Sequence, residues 1–152
     1  MEQLKNKKIK IGIFGADNSK ILMIATVNEF GCNITITPKM RKWLHANGLH
    51  VKDSTQTINI PERSYIRRTF TERKTEIDNQ IRQGLDELFT FTIDIETFLN
   101  RVGIQLQGLT RETLTDVTNP PDHPFTLEKK KPKANPLINT GQLRQSIVYK
   151  IE

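Results

Sequence analysis

Apolar and polar residues alternate at the start of the chain, where Ile9, Ile11 and Ile13 are interleaved with Lys8, Lys10 and Gly12. Successive side chains of a strand point to opposite faces, so this period predicts a half-buried strand. Gly15-Ala16-Asp17-Asn18-Ser19 breaks the pattern, and Asp17 or Ser19 is suited to cap a helix. That helix should run to about Phe30, with Ile21, Ile24, Val27 and Phe30 on one face, and stop at Gly31. Residues 32–60 read as a flap-like excursion. Asn33-Ile34-Thr35-Ile36-Thr37 is a short strand ending at Pro38, Met40 to His45 makes one or two helical turns closed by Asn47-Gly48, and Thr57-Ile58-Asn59-Ile60 returns as a second strand.

The longest periodic stretch follows. Ile66, Phe70, Ile77, Ile81, Leu85 and Leu88 recur at intervals of four, seven, four, four and three, which predicts one amphipathic helix of about 25 residues. Pro61 should open it, because its fixed φ suits a first turn, and Glu62 should favour its positive end. After a break near Thr90–Asp94, a second helix carries Phe98, Val102, Leu106, Leu109 and Val117 as its apolar stripe. Gly103 interrupts it at a cost of up to about 1 kcal/mol, unless close packing requires the missing side chain.

Between Asn119 and Pro136 the composition changes. Five of the seven prolines lie here, with Lys129-Lys130-Lys131-Pro132-Lys133, so residues 119–138 read as an extended, proline- and lysine-rich arm. Asn139 or Thr140 can then cap a short turn, and Ile147, Tyr149 and Ile151 place a last strand over Ser146–Glu152. The matching alternation at the two ends predicts that first and last strands share one sheet, packed against the long helix. The expected class is α+β in one domain spanning 1–152: a small, mostly antiparallel sheet, two helices and the arm.

Composition narrows the function. With 36% apolar and 26% charged residues, the 152-residue chain suits a folded domain with polar extensions. Lys plus Arg (23) exceeds Asp plus Glu (17) by six, which allows an acidic partner without requiring one. Cys32 is the single cysteine, so neither an intramolecular disulfide nor a cysteine-based zinc site can form. The apolar run Ile21-Leu22-Met23-Ile24-Ala25 is far too short to span a membrane, and the first residues lack the apolar core of a secretory signal.

Candidate chemistry is sparse. Gly12-Ile13-Phe14-Gly15 joins a strand to a helix as a phosphate loop would, but lacks the G-x-G-x-x-G spacing and the terminal G-K-[ST]. His45, His50 and His123 have no partners at metal-ligand spacing, and Asp94 and Glu96 are explained by a helix start. No cofactor or catalytic group is expected. Arg63, Arg67 and Lys74, with Arg68 and Arg73 nearby, would form a basic ladder on one helix face. Either the ladder tracks phosphates, or Arg63 and Arg67 pair with carboxylates such as Glu62 or Glu29.

Three segments carry a resemblance. Ile24-Ala25-Thr26-Val27-Asn28-Glu29-Phe30-Gly31 ends a helix, and Ile60-Pro61-Glu62-Arg63-Ser64-Tyr65-Ile66-Arg67 opens one. Near the C-terminus comes Pro136-Leu137-Ile138-Asn139-Thr140-Gly141-Gln142-Leu143-Arg144-Gln145-Ser146-Ile147. In this order they resemble the virion-morphogenesis proteins of tailed phages, the tail-completion, neck and head–tail joining proteins. The chain departs from that pattern in its longer excursion at 32–60, and in Asn139, where aspartate is commoner and a capping role is implied. The resemblance implies a non-enzymatic structural subunit forming a homo-oligomeric ring, six-fold favoured and twelve-fold possible, in the virion neck or tail top. Its partners would be adjacent neck, connector or tail-tube proteins, with DNA passing through the ring. Glu29, Phe30, Gly31, Pro61, Arg63, Tyr65, Arg67, Asn139, Thr140, Gly141, Leu143 and Arg144 are the motif residues it assigns to assembly. The alternative is a basic, nucleic-acid-binding phage accessory protein.

Overall fold

In the computed structural model, residues 2–15, 19–130 and 135–152 are described. The chain is α+β. A short helix α1 (Glu2–Lys5) leads into β1 (Ile9–Gly12), which pairs antiparallel with β4 (Val148–Ile151), setting Ile9 opposite Ile151 and Gly12 opposite Val148. The two ends of the chain therefore share a sheet as their alternation predicts. Lys10 and Glu152 close its outer corner at 2.6 Å.

The helix α2 (Ser19–Phe30) follows, its proposed capping residue Asp17 lying outside the described residues. Its buried face is Ile21, Ala25 and Glu29, with Ile24 and Val27 half-buried. Phe30 was expected inward and is 61% exposed. A four-residue step, not a three-residue one, tracks this face, because it lies over a turn where Glu29 has polar work to do.

The excursion is a flap as expected. β2 (Cys32–Thr35) and β3 (Thr57–Ile60) pair antiparallel, Cys32 opposite Ile60. Between them α3 (Pro38–Ala46) starts with Pro38 in its first turn, and the Thr37 hydroxyl accepts from the Met40 N–H at 3.2 Å. Arg41 ties the helix to the loop that leads into the returning strand by donating to the carbonyls of Val51, Lys52 and Thr55.

The long helix departs from expectation in two ways. Pro61 does not open it: residues 61–65 are not helical, and α4 (Ile66–Glu72) begins five residues after Pro61. At Arg73 (φ −105°, ψ 20°) the helix bends into α5 (Lys74–Phe89). The Arg73 guanidinium reaches Glu112 and Asp116, at 3.3 and 3.0 Å, so the bend turns both halves onto the next helix. Phe70, counted as a core position for a straight helix, is 45% exposed.

That next helix, α6 (Ile95–Asp116), is the spine. Asp94 caps it, accepting from the Thr97 N–H at 2.7 Å, and the Thr97 side chain first, then this backbone N–H, hold the Asp94 carboxyl below its ordinary pKa. Phe98, Leu99, Val102, Leu106 and Leu109 form one cluster with Ile77, against which Ile9, Ile11 and Ile151 of the sheet pack. Leu114 and the following Val117 enter a second cluster around Tyr65, with Ile21, Ala25, Leu137, Leu143 and Ile147. The β1–β4 sheet thus lies chiefly on α6, not on the helix at 66–89 as expected. Gly103 explains why: the Tyr149 ring sits so close that a Cβ there would meet it at 2.3 Å, so the glycine is required by packing.

The arm is the largest correction. Residues 119–130 and 135–138 are folded back on the body rather than extended, with α7 (Pro124–Lys129) inside them. Asn135 brings the two ends together. Its amide donates to the Thr115 carbonyl at 2.6 Å, and its Oδ1 accepts from the N–H groups of Leu137 and Ile138. Lys131, Pro132 and Lys133 of the basic cluster lie outside the described residues. The chain ends with α8 (Gln142–Gln145) and β4. Among the described residues no helix is long and apolar enough to cross a membrane.

Candidate functional site: a motif node and the surfaces it holds

The motif residues converge beneath the surface. Helix α2 ends at a carboxylate, Glu29, only 5% exposed. The first turn of α4 has amide N–H groups with no partner inside the helix. Glu29 supplies it from the far end of the fold: Oε2 accepts from Tyr65 and Ile66 at 2.9 and 3.0 Å, and Oε1 accepts from Arg67 at 3.0 Å. The Arg67 guanidinium adds a bond to Oε1 at 3.2 Å, a short one to the Glu29 carbonyl, and one to Glu62 at 2.9 Å. Its carbon lies 4.8 Å from the Phe30 ring centroid. Glu29 therefore does for α4 what a neighbouring Asp or Ser does at an ordinary helix start.

Gly31 makes this approach possible. Its φ of +68° turns the chain, and a Cβ there would lie 2.9 Å from both the Glu62 nitrogen and the Ile60 oxygen. The Arg63 N–H donates to the Asn28 carbonyl at 2.7 Å, so residues 60–67 wrap the end of α2. From the third segment, Leu137, Leu143 and Ile147 close around Tyr65, which has no exposed surface. Neither Asn139 nor Thr140 caps α8 as expected: the cap position is Gly141 (φ +81°) and carries no side-chain cap, while the Thr140 hydroxyl, one residue earlier, accepts from the Gln142 N–H at 3.4 Å. Glu29, Arg63, Tyr65 and Leu143 are thus buried scaffold; Phe30, Arg67, Asn139, Thr140 and Arg144 reach the surface. The buried group has no surface to offer a neighbour, so the expectation that all these residues serve assembly contacts fails for it; only the second group is placed where such a contact could form.

Tyr65 carries an anomaly. Its hydroxyl is buried without a hydrogen-bond partner. Burial, and then the negative charge of Glu29, push the phenol far above the usual tyrosine pKa. Replacing Tyr65 with phenylalanine should raise stability at neutral pH by about 1 kcal/mol, because an unsatisfied buried donor is removed. A raised folded-state pKa gives stability that is complete below the unfolded value of about 10 and is lost above it, by about 1.4 kcal/mol per pH unit for one group. Urea melts from pH 7 to 11 should therefore show a shallower alkaline loss in Y65F than in the wild type. Equal slopes, with Y65F less stable at pH 7, would mean that the hydroxyl has a partner.

The predicted basic ladder does not form as one surface. Arg63 precedes the helix and is 5% exposed. It donates to the carbonyls of Pro120 and Pro121 at 2.6 and 2.9 Å and meets Asp122 at 3.2 Å. Arg67 is taken by Glu29 and Glu62, and Lys74 by Asp78 at 2.6 Å. Asp122 also holds Lys130 at 2.8 Å, and Lys130 donates to the carbonyls of Asn135 and Pro136. This clasp docks the arm. The sequence signal for it is Asp122, the one acid ahead of α7 in a proline-rich, basic stretch, which net charge alone does not single out.

Two surfaces remain as candidates. A groove of about 1010 Å³ lies between α2, the flap and the arm, with Met23, Ile34, Ile58 and Phe125 among its walls. Lys129 spans flap and arm there, 2.8 Å from the Asn47 amide oxygen and over the rings of Trp43 and Phe125. A second, apolar groove of about 860 Å³ lies beside the turn between α5 and α6. The His45 and His50 rings meet tilted at 57°, with centroids 5.1 Å apart, while His45 Nε2 meets the backbone of Val51. Among the described residues no group of three His, Cys, Asp or Glu side chains could hold a metal ion. No protein-family model, no curated protein and no solved structure matches the chain.

Proposed function

We propose that the chain is a structural subunit of a tailed bacteriophage particle, a tail-completion or head–tail joining protein of the neck that assembles as a ring, six-fold in preference to twelve-fold. The observation that carries this reading is the ordered occurrence of the three motifs from residue 24 to residue 147. The fold is consistent with it in one specific respect. The three segments, distant in sequence, make a single node, so each motif has a physical reason to occur with the others. That node is scaffold and holds no reacting group. What it orients are the flap, the arm and the ends of the chain, surfaces suited to contacts with neighbours and with connector or tail-tube proteins.

The nucleic-acid reading is the weaker one, because Arg63, Arg67 and Lys74 are each engaged by carboxylates. Gel shifts near physiological salt should give no retardation of duplex DNA; binding that survives there, and weakens with added salt, would favour that reading instead.

The arm supplies the functional test. Thr115 and Asn135 are hydrogen-bonded, so residues 123–134 can be exchanged for a short Gly/Ser linker that leaves Pro120, Pro121 and Asp122 on the buried Arg63. The exchanged protein should stay folded, yet fail to restore infectious particles to a phage lacking the native gene. Full restoration would remove the arm from the assembly contact.

A further inference from the structure

Helix α5 ends in a turn whose bonding pattern calls for glycine. The Phe91 N–H donates to the Leu88 carbonyl at 3.1 Å, and the Thr92 N–H to the Glu87 carbonyl at 2.9 Å. In this arrangement the residue after the cap takes a left-handed conformation, which glycine adopts without strain. Here the position holds Phe91, at φ +55° and 94% exposed. A bulky side chain is disfavoured in this region, and an exposed phenyl ring gains nothing from burial within its own chain. Strain and exposure together leave Phe91 placed for a contact outside the folded monomer.

Phe91 stands on the rim of the 860 Å³ groove, whose floor includes Leu4, Leu88, Ile93, Leu99 and Ile151. A hole of this size takes a drug-sized apolar group. The same rim carries Lys7 on one wall residue and Asp94 and Glu96 on others; among the described residues neither Lys7 nor Glu96 is ion-paired. Knob, hole and both signs of charge thus share one patch. A patch that contains its own complement is what a two-fold contact requires, since each surface element meets its counterpart across the axis. We propose that this face is a reversible two-fold dimer interface with a second copy of the chain, Phe91 of each copy entering the groove of the other and Lys7 facing Glu96 and Asp94. The contact is separate from the ring proposed above and holds whether or not that reading stands.

Sedimentation equilibrium of the full chain, from micromolar to near-millimolar concentration, tests it. The wild type should show a monomer–dimer equilibrium. Phe91→Gly should weaken it at least ~30-fold, as loss of a central aromatic anchor does, with a melting temperature equal to or above the wild type's. Phe91→Asn, which also tolerates the turn, should behave alike. Lys7→Glu should weaken the dimer and Lys7→Glu with Glu96→Lys should restore it. A wild type that stays monomeric throughout, as it would if another protein fills the groove, overturns the proposal. So does self-association, as a dimer or a larger ring, that Phe91→Gly leaves unchanged, and so does failure of the charge swap to restore the dimer.

Discussion

Replacing Glu29 with alanine should lower the stability of the chain by about 3 kcal/mol, combining a lost helix cap with a stranded buried amide. For a domain of this size that is a fall of roughly 6–12 °C in melting temperature. One carboxylate here satisfies the N–H groups of Tyr65, Ile66 and Arg67, and Tyr65 lies where no water can replace it. Glu29→Gln should recover little, since an amide offers one accepting oxygen and turns donors toward donors. Arg67→Ala should cost under about 1 kcal/mol, because its side chain is half exposed and the backbone amides keep their carboxylate. Thermal melts of the three variants decide the matter: an E29Q protein as stable as the wild type would mean that the second accepting oxygen is not needed and sink the capping account, and an R67A cost equal to that of E29A would mean that the node depends on charge pairing instead.

Gly31→Ala should cost about as much, for an independent reason. A non-glycine residue at φ +68° costs roughly 1–2 kcal/mol, and forcing a methyl into a packed site costs about 1–3 kcal/mol. Both apply here, since the atoms that a Cβ would meet, 2.9 Å away, are backbone atoms of Ile60 and Glu62 and cannot rotate aside. Asparagine separates the two contributions. It tolerates the left-handed conformation but keeps the Cβ, so Gly31→Asn should recover part of the backbone cost and keep the clash, remaining clearly less stable than the wild type. A G31N protein as stable as the wild type would mean that the approach between α2 and residues 60–62 is looser than described.

These two positions also mark where sequence patterns stop being informative. Periodicity located β1, β4, the flap strands, α3 and the apolar stripe of α6, because burial on one face writes itself into spacing of two or of three to four residues. It read α4 and α5 as one helix, since a bend at Arg73 leaves the period of Ile77, Ile81 and Leu85 intact. Which side chain at the end of α2 turns inward was not legible: Phe30 is the apolar one, yet Glu29 is buried because its acceptors are matched by donors 36 residues on. No local rule encodes that pairing. The arm failed for the same reason, its docking depending on Asp122 meeting Arg63 and Lys130 in space. The capping of α6 by Asp94 and the dependence of packing on Gly103 were legible, because cap and close approach each have a local signature.

The motif residues therefore act mainly by fixing the frame, and any assembly contact must be sought in the flap, the arm and the exposed motif side chains Phe30, Asn139, Thr140 and Arg144. The most direct measurement is quantitative mass spectrometry of purified phage particles from the genome that encodes the chain. The virion account predicts its peptides at a fixed stoichiometry consistent with one six-fold or twelve-fold ring per particle, retained through density-gradient purification and high salt. Peptides found only in the lysate, with finished infectious particles free of them, would contradict it.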